Sequence, residues 1–333
     1  MTTIGFGIVG LGRIGWLHAE HIAGAVPGAR LVAAAVDEAQ RRELEASGRA
    51  PCPLVADVAD LVARPDVEAV IVASPSSLHH DHIIEVARAG KPVFAEKPIA
   101  DSVEAARAVV AAVERSGVPF QIGFQRRYDP GYVRARELIA AGAIGEVEMF
   151  RGITCDRIPP VDFLRTSGGL FWDLAIHDFD ATRFLTGDEI EAVHATGAIK
   201  VEPRLAEFDD IDHGIVTLRF QSGALGVVQA CWRAPAGYDI RAEVHGSRGK
   251  VVAEVDEKFP ARLYDERGLV AARHDQFTER FREAYRDELQ GFVAALRRGS
   301  APTPNLTDAL RAVEIADAAT RSRRQGGWVT VGQ

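Results

Sequence analysis

Residues 4–15 read Ile4-Gly5-Phe6-Gly7-Ile8-Val9-Gly10-Leu11-Gly12-Arg13-Ile14-Gly15. The run from Ile4 to Val9 has the look of a strand buried on both faces. A helical pattern follows the glycines and continues to about Ile22. A G-x-G-x-x-G loop set between a strand and a helix can seat a dinucleotide pyrophosphate. Gly10 makes the tight turn, Gly12 lets the backbone approach the phosphates, and Gly15 lets the helix pack closely on the strand. Arg13 and Ile14 complete the loop. Glycine-rich turns are common, so the context carries the reading. A second strand, Leu31 to Val36, ends in Asp37, roughly 20 residues beyond the loop, where an acidic group meets the adenosine ribose. A carboxylate there accepts hydrogen bonds from the ribose hydroxyls and repels a 2′-phosphate. Glu38 follows, and no arginine appears before Arg41, which favours NAD over NADP. Asp37 is also placed to cap the helix beginning near Glu38. The two roles are compatible.

The alternation of strand and helix continues through Leu54-Val55, Val58–Ala63 and the apolar run Val67–Ala73. The loop after that run, Ser74 to His79, belongs to the crevice where a doubly wound sheet reverses its strand order. His79, His80 and His82 are bunched without a carboxylate or cysteine partner at ligand spacing, so they read as first-turn helix residues, not as a metal site. A fifth strand, Pro92–Ala95, delivers Glu96-Lys97-Pro98 at its C-terminal edge. A helix over Ser102–Arg115 and a strand over Phe120–Gly123 close an α/β domain over residues 1–123, a doubly wound parallel sheet.

Residues 124–333 change character. A helix over Tyr132–Ala140 and a strand over Val147–Cys155 lead to Gly168-Gly169-Leu170-Phe171-Trp172-Asp173-Leu174-Ala175-Ile176-His177-Asp178-Phe179-Asp180. The apolar spacing there predicts one helix from about Leu170 to Leu185, with Asp173 and His177 a turn apart on one face. A carboxylate beside an imidazole orients it and fixes its tautomer, which suits acid–base work. Strand-like runs follow at Ala192–Val201, Gly214–Phe220, Ala224–Arg233, Ile240–His245 and Lys250–Glu254. Helical patterns over Phe277–Leu296 and Thr307–Arg321 end the chain. Consecutive strands with segregated helices predict an α+β domain over 124–333 with a large open antiparallel sheet.

Composition bounds the function. The 333 residues carry a net charge of -8 with 26% charged residues, so there is no basic footprint for nucleic acid or an anionic membrane. No apolar run reaches membrane-spanning length, and no secretory leader pattern precedes Ile4. The three cysteines, Cys52, Cys155 and Cys231, are scattered and odd in number, which fits a reducing cytoplasm better than a disulfide framework.

The Gly10–Gly15 loop, Ala95-Glu96-Lys97-Pro98, Gly123-Phe124-Gln125-Arg126-Arg127-Tyr128-Asp129 and Gly169–Asp180 together resemble the glucose–fructose oxidoreductase/inositol dehydrogenase superfamily. The last two segments point to its inositol dehydrogenase branch. The resemblance covers nearly the whole chain. It implies Lys97, Asp173 and His177 as the catalytic set. It places Arg126, Asp156 and Tyr238 with the substrate, and Ser74, His79, Glu96 and Gln125 in the cofactor pocket, with Lys97 and Gln125 reaching both ligands. It also implies NAD, a cyclic polyol or sugar as substrate, and a homotetramer built through the open sheet. Trp172 and Leu174-Ala175 depart from the pattern of the branch, which leaves another inositol isomer, an aldose or an anhydrosugar open as substrate.

The residues support such chemistry by themselves. Oxidising a secondary alcohol removes a hydride and a hydroxyl proton. His177 can take the proton, Asp173 can steady the resulting cation, and Lys97 can stabilise a developing alkoxide. Two other readings stay open at this stage. One is a catalytically silent nucleotide sensor on the same fold, although this chain keeps both Lys97 and His177. The other is a metal-dependent lyase, for which Asp173 and His177 lack a third ligand at readable spacing.

Overall fold

A computed structural model describes residues 3–254, 257–259, 262–266 and 268–333. The chain begins with β1 (Ile4–Val9), α1 (Arg13–Gly24), β2 (Ala29–Ala35), α2 (Glu38–Ser47), β3 (Leu54–Val55) and α3 (Val58–Ala63). It continues with β4 (Ala69–Val72), α4 (His79–Arg88), β5 (Val93–Glu96), α5 (Val103–Ser116) and β6 (Phe120–Gly123). The six strands form one sheet in the order β3-β2-β1-β4-β5-β6. Every pair in it is parallel. The order reverses between β1 and β4, as in a doubly wound dinucleotide fold.

Two glycines of the loop are required by geometry. Gly10 has φ +88°, and a Cβ on it would come within 2.7 Å of Ser74 Cα. A Cβ on Gly15 would lie 2.0 Å from the Gly10 carbonyl oxygen, which is the close helix–strand packing read from the sequence. Ser102 caps α5 by accepting from the Ala105 N–H at 3.2 Å, and Gly117 closes that helix at φ 68°.

The remainder comprises α6 (Pro130–Ala140), β7 (Val147–Cys155), α7 (Val161–Leu164), α8 (Leu170–Asp173), α9 (Ile176–Thr186), β8 (Ile190–Ala198), β9 (His213–Phe220), β10 (Leu225–Cys231), β11 (Asp239–Gly246) and β12 (Gly249–Ala253). A small hairpin of β13 (Arg262–Asp265) and β14 (Gly268–Ala271), then α10 (Phe277–Arg280), α11 (Arg282–Arg298), α12 (Leu306–Gln325) and β15 (Val329–Thr330) complete it. The second sheet runs β12-β11-β7-β10-β9-β8-β15. It is antiparallel except at its centre, where β7 and β10 pair in parallel. The large open antiparallel sheet read from the sequence is therefore mixed at that one pair. β7 and β10 are not consecutive in the chain, so no hairpin forces them to oppose.

The chain divides into two compact units, residues 1–125 with 283–313 and residues 126–282 with 314–333. The boundary read near Gly123 therefore misses one exchange. In α11, Leu289, Phe292 and Val293 join Phe6, Ile8, Ala69, Ile71 and Phe94 in the first unit's core. The rings of Phe6 and Phe94 meet Phe292 edge-on at 6.2 and 5.9 Å. An amphipathic pattern specifies a face to bury without naming what buries it.

Two helices expected as continuous are interrupted. Phe281, fully buried, separates α10 from α11. The helix expected over Leu170–Leu185 breaks at Leu174 and Ala175, both buried. Their N–H groups both bond the Leu170 carbonyl, at 3.1 and 3.0 Å, and the His177 N–H then reaches Leu174 at 3.4 Å. The resulting change of register buries Leu170, Phe171, Trp172, Leu174, Ala175 and Ile176 together, a run too continuous for one stripe of a regular helix.

Candidate active site

In the first unit, the start of α1 is open. Gly12 is its N-cap, no side chain caps it, and no acidic residue lies in its first turn. A Cβ at Gly12 would meet no atom within 4 Å, and Gly12 and Arg13 are exposed while Ile14 is half-buried. The N–H groups of a helix start, beside a glycine with room above it, fit a pyrophosphate. Asp37 does act as the cap of α2, accepting from the Gln40 N–H at 2.9 Å. The Gln40 side chain in turn donates to the Leu11 carbonyl at 2.8 Å, tying Asp37's turn to the glycine loop. The two arginines that follow in the sequence, Arg41 and Arg42, both pair with Glu38.

From Val93 to Ala100 every residue is buried except Lys97, which is half-exposed. Glu96 and His79, which the resemblance implies for the cofactor pocket, make internal contacts here. Glu96 is 5% exposed and bonded to His18 Nε2 at 2.7 Å. His79 is 1% exposed, with Nδ1 2.6 Å from the Pro98 carbonyl and Nε2 2.8 Å from the Ser74 carbonyl. Burial lowers its pKa against the pull of both carbonyls. Both side chains are turned into the protein, where they hold the loops that frame Lys97 and Ser74. Ser74 is half-buried, and its hydroxyl meets His82 Nδ1 at 2.9 Å. Gln125 is 2% exposed and its Oε1 has no partner among the described residues, as suits an amide that meets a bound ligand.

In the second unit, between Gly169 and Thr182 all residues are buried except Asp173 and His177. Gly168 and Gly169, at φ +86° and +91°, make the turn into α8. A Cβ on Gly169 would sit 2.6 Å from Asp210 Oδ1, the atom that accepts from the Leu170 N–H at 3.1 Å. Asp210 was not singled out from the sequence. Burial pushes its carboxyl up, and Asp173 adds to the rise. Asp173 closes α8 and His177 lies in the first turn of α9, so the bend at 174–175, not helical spacing, sets their relation.

The motif arginines and aspartates pair with one another. Arg126 donates to Asp178 Oδ1 at 2.7 Å and to Thr154 Oγ1 at 2.9 Å. Arg127 binds Asp180 through two contacts of 2.9 and 2.6 Å. Arg126, which the resemblance places with the substrate, is 2% exposed and forms an internal ion pair with Asp178. Burial opposes the Arg126 charge, yet Asp178 holds its pKa above the ordinary value. Asp178 and Asp180 were readable as acids embedded in an apolar helix, which need a cation when buried. Half-buried Asp156 follows β7, and buried Tyr238 lies near enough for its charge to help burial raise the phenol. The departing residues are internal, with Trp172 Nε1 donating to Thr320 Oγ1 at 3.2 Å and Leu174 and Ala175 covered.

A glycine loop at a helix start in the first unit suits a dinucleotide, and a carboxylate and an imidazole opening from a buried run in the second suit acid–base work. The chain belongs to the Gfo/Idh/MocA oxidoreductase family. Residues 4–124 match its NAD-binding Rossmann-fold domain, and residues 132–252 match the Gfo/Idh/MocA C-terminal domain. The chain is 39% identical to inositol 2-dehydrogenase of Rhizobium meliloti, over 96% of this chain and 97% of that one. It is 38% identical to scyllo-inositol 2-dehydrogenase (NAD(+)) of Bacillus subtilis, over 96% and 94%. Scyllo-inositol dehydrogenase from Lactobacillus casei, solved with NAD(H) and scyllo-inositol, superposes with a TM-score of 0.92 at 31% identity and full coverage of both chains.

Proposed function

We propose that this protein is an NAD-dependent inositol 2-dehydrogenase that oxidises myo-inositol to 2-keto-myo-inositol. The observation that carries the reading is the exposure pattern: Lys97 alone opens in its buried run, and Asp173 and His177 alone open in theirs. NAD, when bound, accepts the hydride from the carbinol carbon. The glycine loop with Arg13 and Ile14, together with Asp37, Ser74 and Gln125, would hold it. His177 takes the hydroxyl proton, Asp173 orients the imidazole and stabilises its cation, and the Lys97 ammonium stabilises the developing alkoxide and relays the proton. Asp156, Tyr238 and Gln125 supply donors and acceptors for the remaining hydroxyls. The departures at Trp172, Leu174 and Ala175 are covered, so they leave the polar set of the branch unchanged.

Reduced-cofactor absorbance with a panel of inositol isomers, aldoses and anhydrosugars tests the substrate, and myo-inositol should give the highest kcat/KM. The same assay tests Asp37. NAD should exceed NADP by about 10²-fold or more, because a 2′-phosphate against a carboxylate is a like-charge contact costing several kcal/mol. Asp37→Ser should narrow the gap. Equal use of both cofactors by the wild type would reduce Asp37 to a helix cap.

The protein acts as a homotetramer in the cytoplasm on this reading. No helix among the described residues is long and apolar enough to cross a membrane. On the outer face of the second sheet, exposed Leu225 lies opposite exposed Met149, with Val227 and Ile215 nearby. β11 offers this face little apolar surface. Its apolar Ile240, Ala242 and Val244 point inward, and Arg241, Glu243 and His245 point out. Sedimentation should give a tetramer, and Leu225→Glu should shift it to smaller species. A fully active dilute monomer would overturn the assignment.

A further inference from the structure

Behind Lys97 lies a cluster that the reaction does not use directly. His18 of α1 and Glu288 of α11 are fully buried, and Glu96 at the end of β5 is nearly so. One ligating atom from each lies within 4.8 Å of the others. His18 Nε2 is 2.7 Å from Glu96 Oε1, and neither Glu288 oxygen has a hydrogen-bond partner among the described residues. The walls are aromatic, with Phe94 and Tyr285 edge-on to the His18 ring at 5.3 and 5.9 Å. Gly123 leaves room for Glu96, since a Cβ there would sit 3.1 Å from Glu96 Oε1.

Two carboxyl groups this close in a dry pocket cannot both be ionised. Glu96 already accepts a hydrogen bond from His18. Glu288 has no donor of its own and belongs on the neutral side. Burial, followed by the charge of Glu96, raises its pKa well above the ordinary value. A metal ion is disfavoured by distance. Two ligands each about 2.0–2.2 Å from a tetrahedral ion stand more than 3 Å apart, whereas His18 and Glu96 are at 2.7 Å, a direct hydrogen bond.

We propose that Glu288 retains its proton and donates it to Glu96, so that His18 and Glu288 clamp the Glu96 carboxylate and thereby position the Glu96-Lys97-Pro98 turn. His18 and Glu288 are positioning residues. The clamp joins the helix of the glycine loop, the strand that ends at Glu96 and a helix from the far end of the sequence. Its effect on turnover rests on the role given to Lys97 above, while the protonation of Glu288 does not.

The test uses the full-length enzyme with Glu288→Gln and Glu288→Ala. Infrared difference spectra at neutral pH should show the carbonyl stretch of a protonated carboxylic acid in the wild type and its loss in Glu288→Gln. The amide can still donate to Glu96, so Glu288→Gln should keep near-wild-type kcat. Glu288→Ala should lower kcat by up to about 10²-fold, the cost of slight misplacement of a catalytic group, with NAD-binding stoichiometry and affinity unchanged. Absence of the acid band, its survival in Glu288→Gln, or a stoichiometric divalent metal in the purified enzyme would overturn the proposal. So would full turnover in a folded Glu288→Ala. Unimpaired turnover in Lys97→Ala would instead remove the assigned role of Lys97 and leave the infrared result standing.

Discussion

His177→Ala should lower kcat by about 10² to 10⁴, the range for losing a positioned acid–base group, with NAD affinity little changed. The imidazole is half-exposed in an otherwise buried run, so its removal opens no core cavity and the loss is chemical. Lys97→Ala should cost a comparable factor, because the alkoxide loses its charged partner. Asp173→Asn should leave the fold intact and slow turnover by disturbing the orientation of the imidazole. The pH–rate profile separates the two candidate bases. A base must be unprotonated to accept the hydroxyl proton, so wild-type activity should fall as pH drops through the range in which imidazoles protonate. His177→Ala should flatten that acid limb. An acid limb that persists in His177→Ala and disappears only in a Lys97 variant would make Lys97 the base.

Asp178→Ala should be the most destabilising single substitution in the motif segments. It would leave Arg126, 2% exposed, without its counter-ion, and would strip Thr154 of the carboxylate to which it donates at 2.7 Å. Breaking a buried pair by removing one partner costs about 3–5 kcal/mol, whereas replacing both partners by apolar residues of similar size is often close to neutral. The double variant Arg126→Met/Asp178→Leu should therefore recover much of the loss. Midpoints of denaturant unfolding on the cofactor-free protein measure both. A midpoint unchanged in Asp178→Ala would show that water or another anion reaches Arg126, contrary to its burial.

Much of the first unit was legible because its signals are local. Gly10 needs a positive φ, Gly15 needs a missing Cβ, and the apolar strands mark a sheet covered on both faces. Lys97, Asp173 and His177 could be singled out as residue types in a motif. Their exposure could not, because it depends on what the rest of the chain covers. Glu96 and His79 show the limit. A strand end and a first helical turn can each face a ligand or the interior, and adjacent positions in the motif turned opposite ways.

Periodicity and glycine placement thus determined by themselves the doubly wound sheet and the tight glycine turn between its first strand and helix. Backbone sterics and the alternation of apolar side chains act over a few residues, and a linear chain displays them directly. Only the tertiary structure decided that Arg126 pairs with Asp178, that β7 runs parallel to β10, that α11 leaves the second half to complete the first unit's core, and that the helix carrying Asp173 and His177 breaks between them. Each of these depends on which distant surface or counter-charge is available when a segment is buried. The cost of an uncovered apolar face or an unpaired charge is settled between residues far apart in sequence.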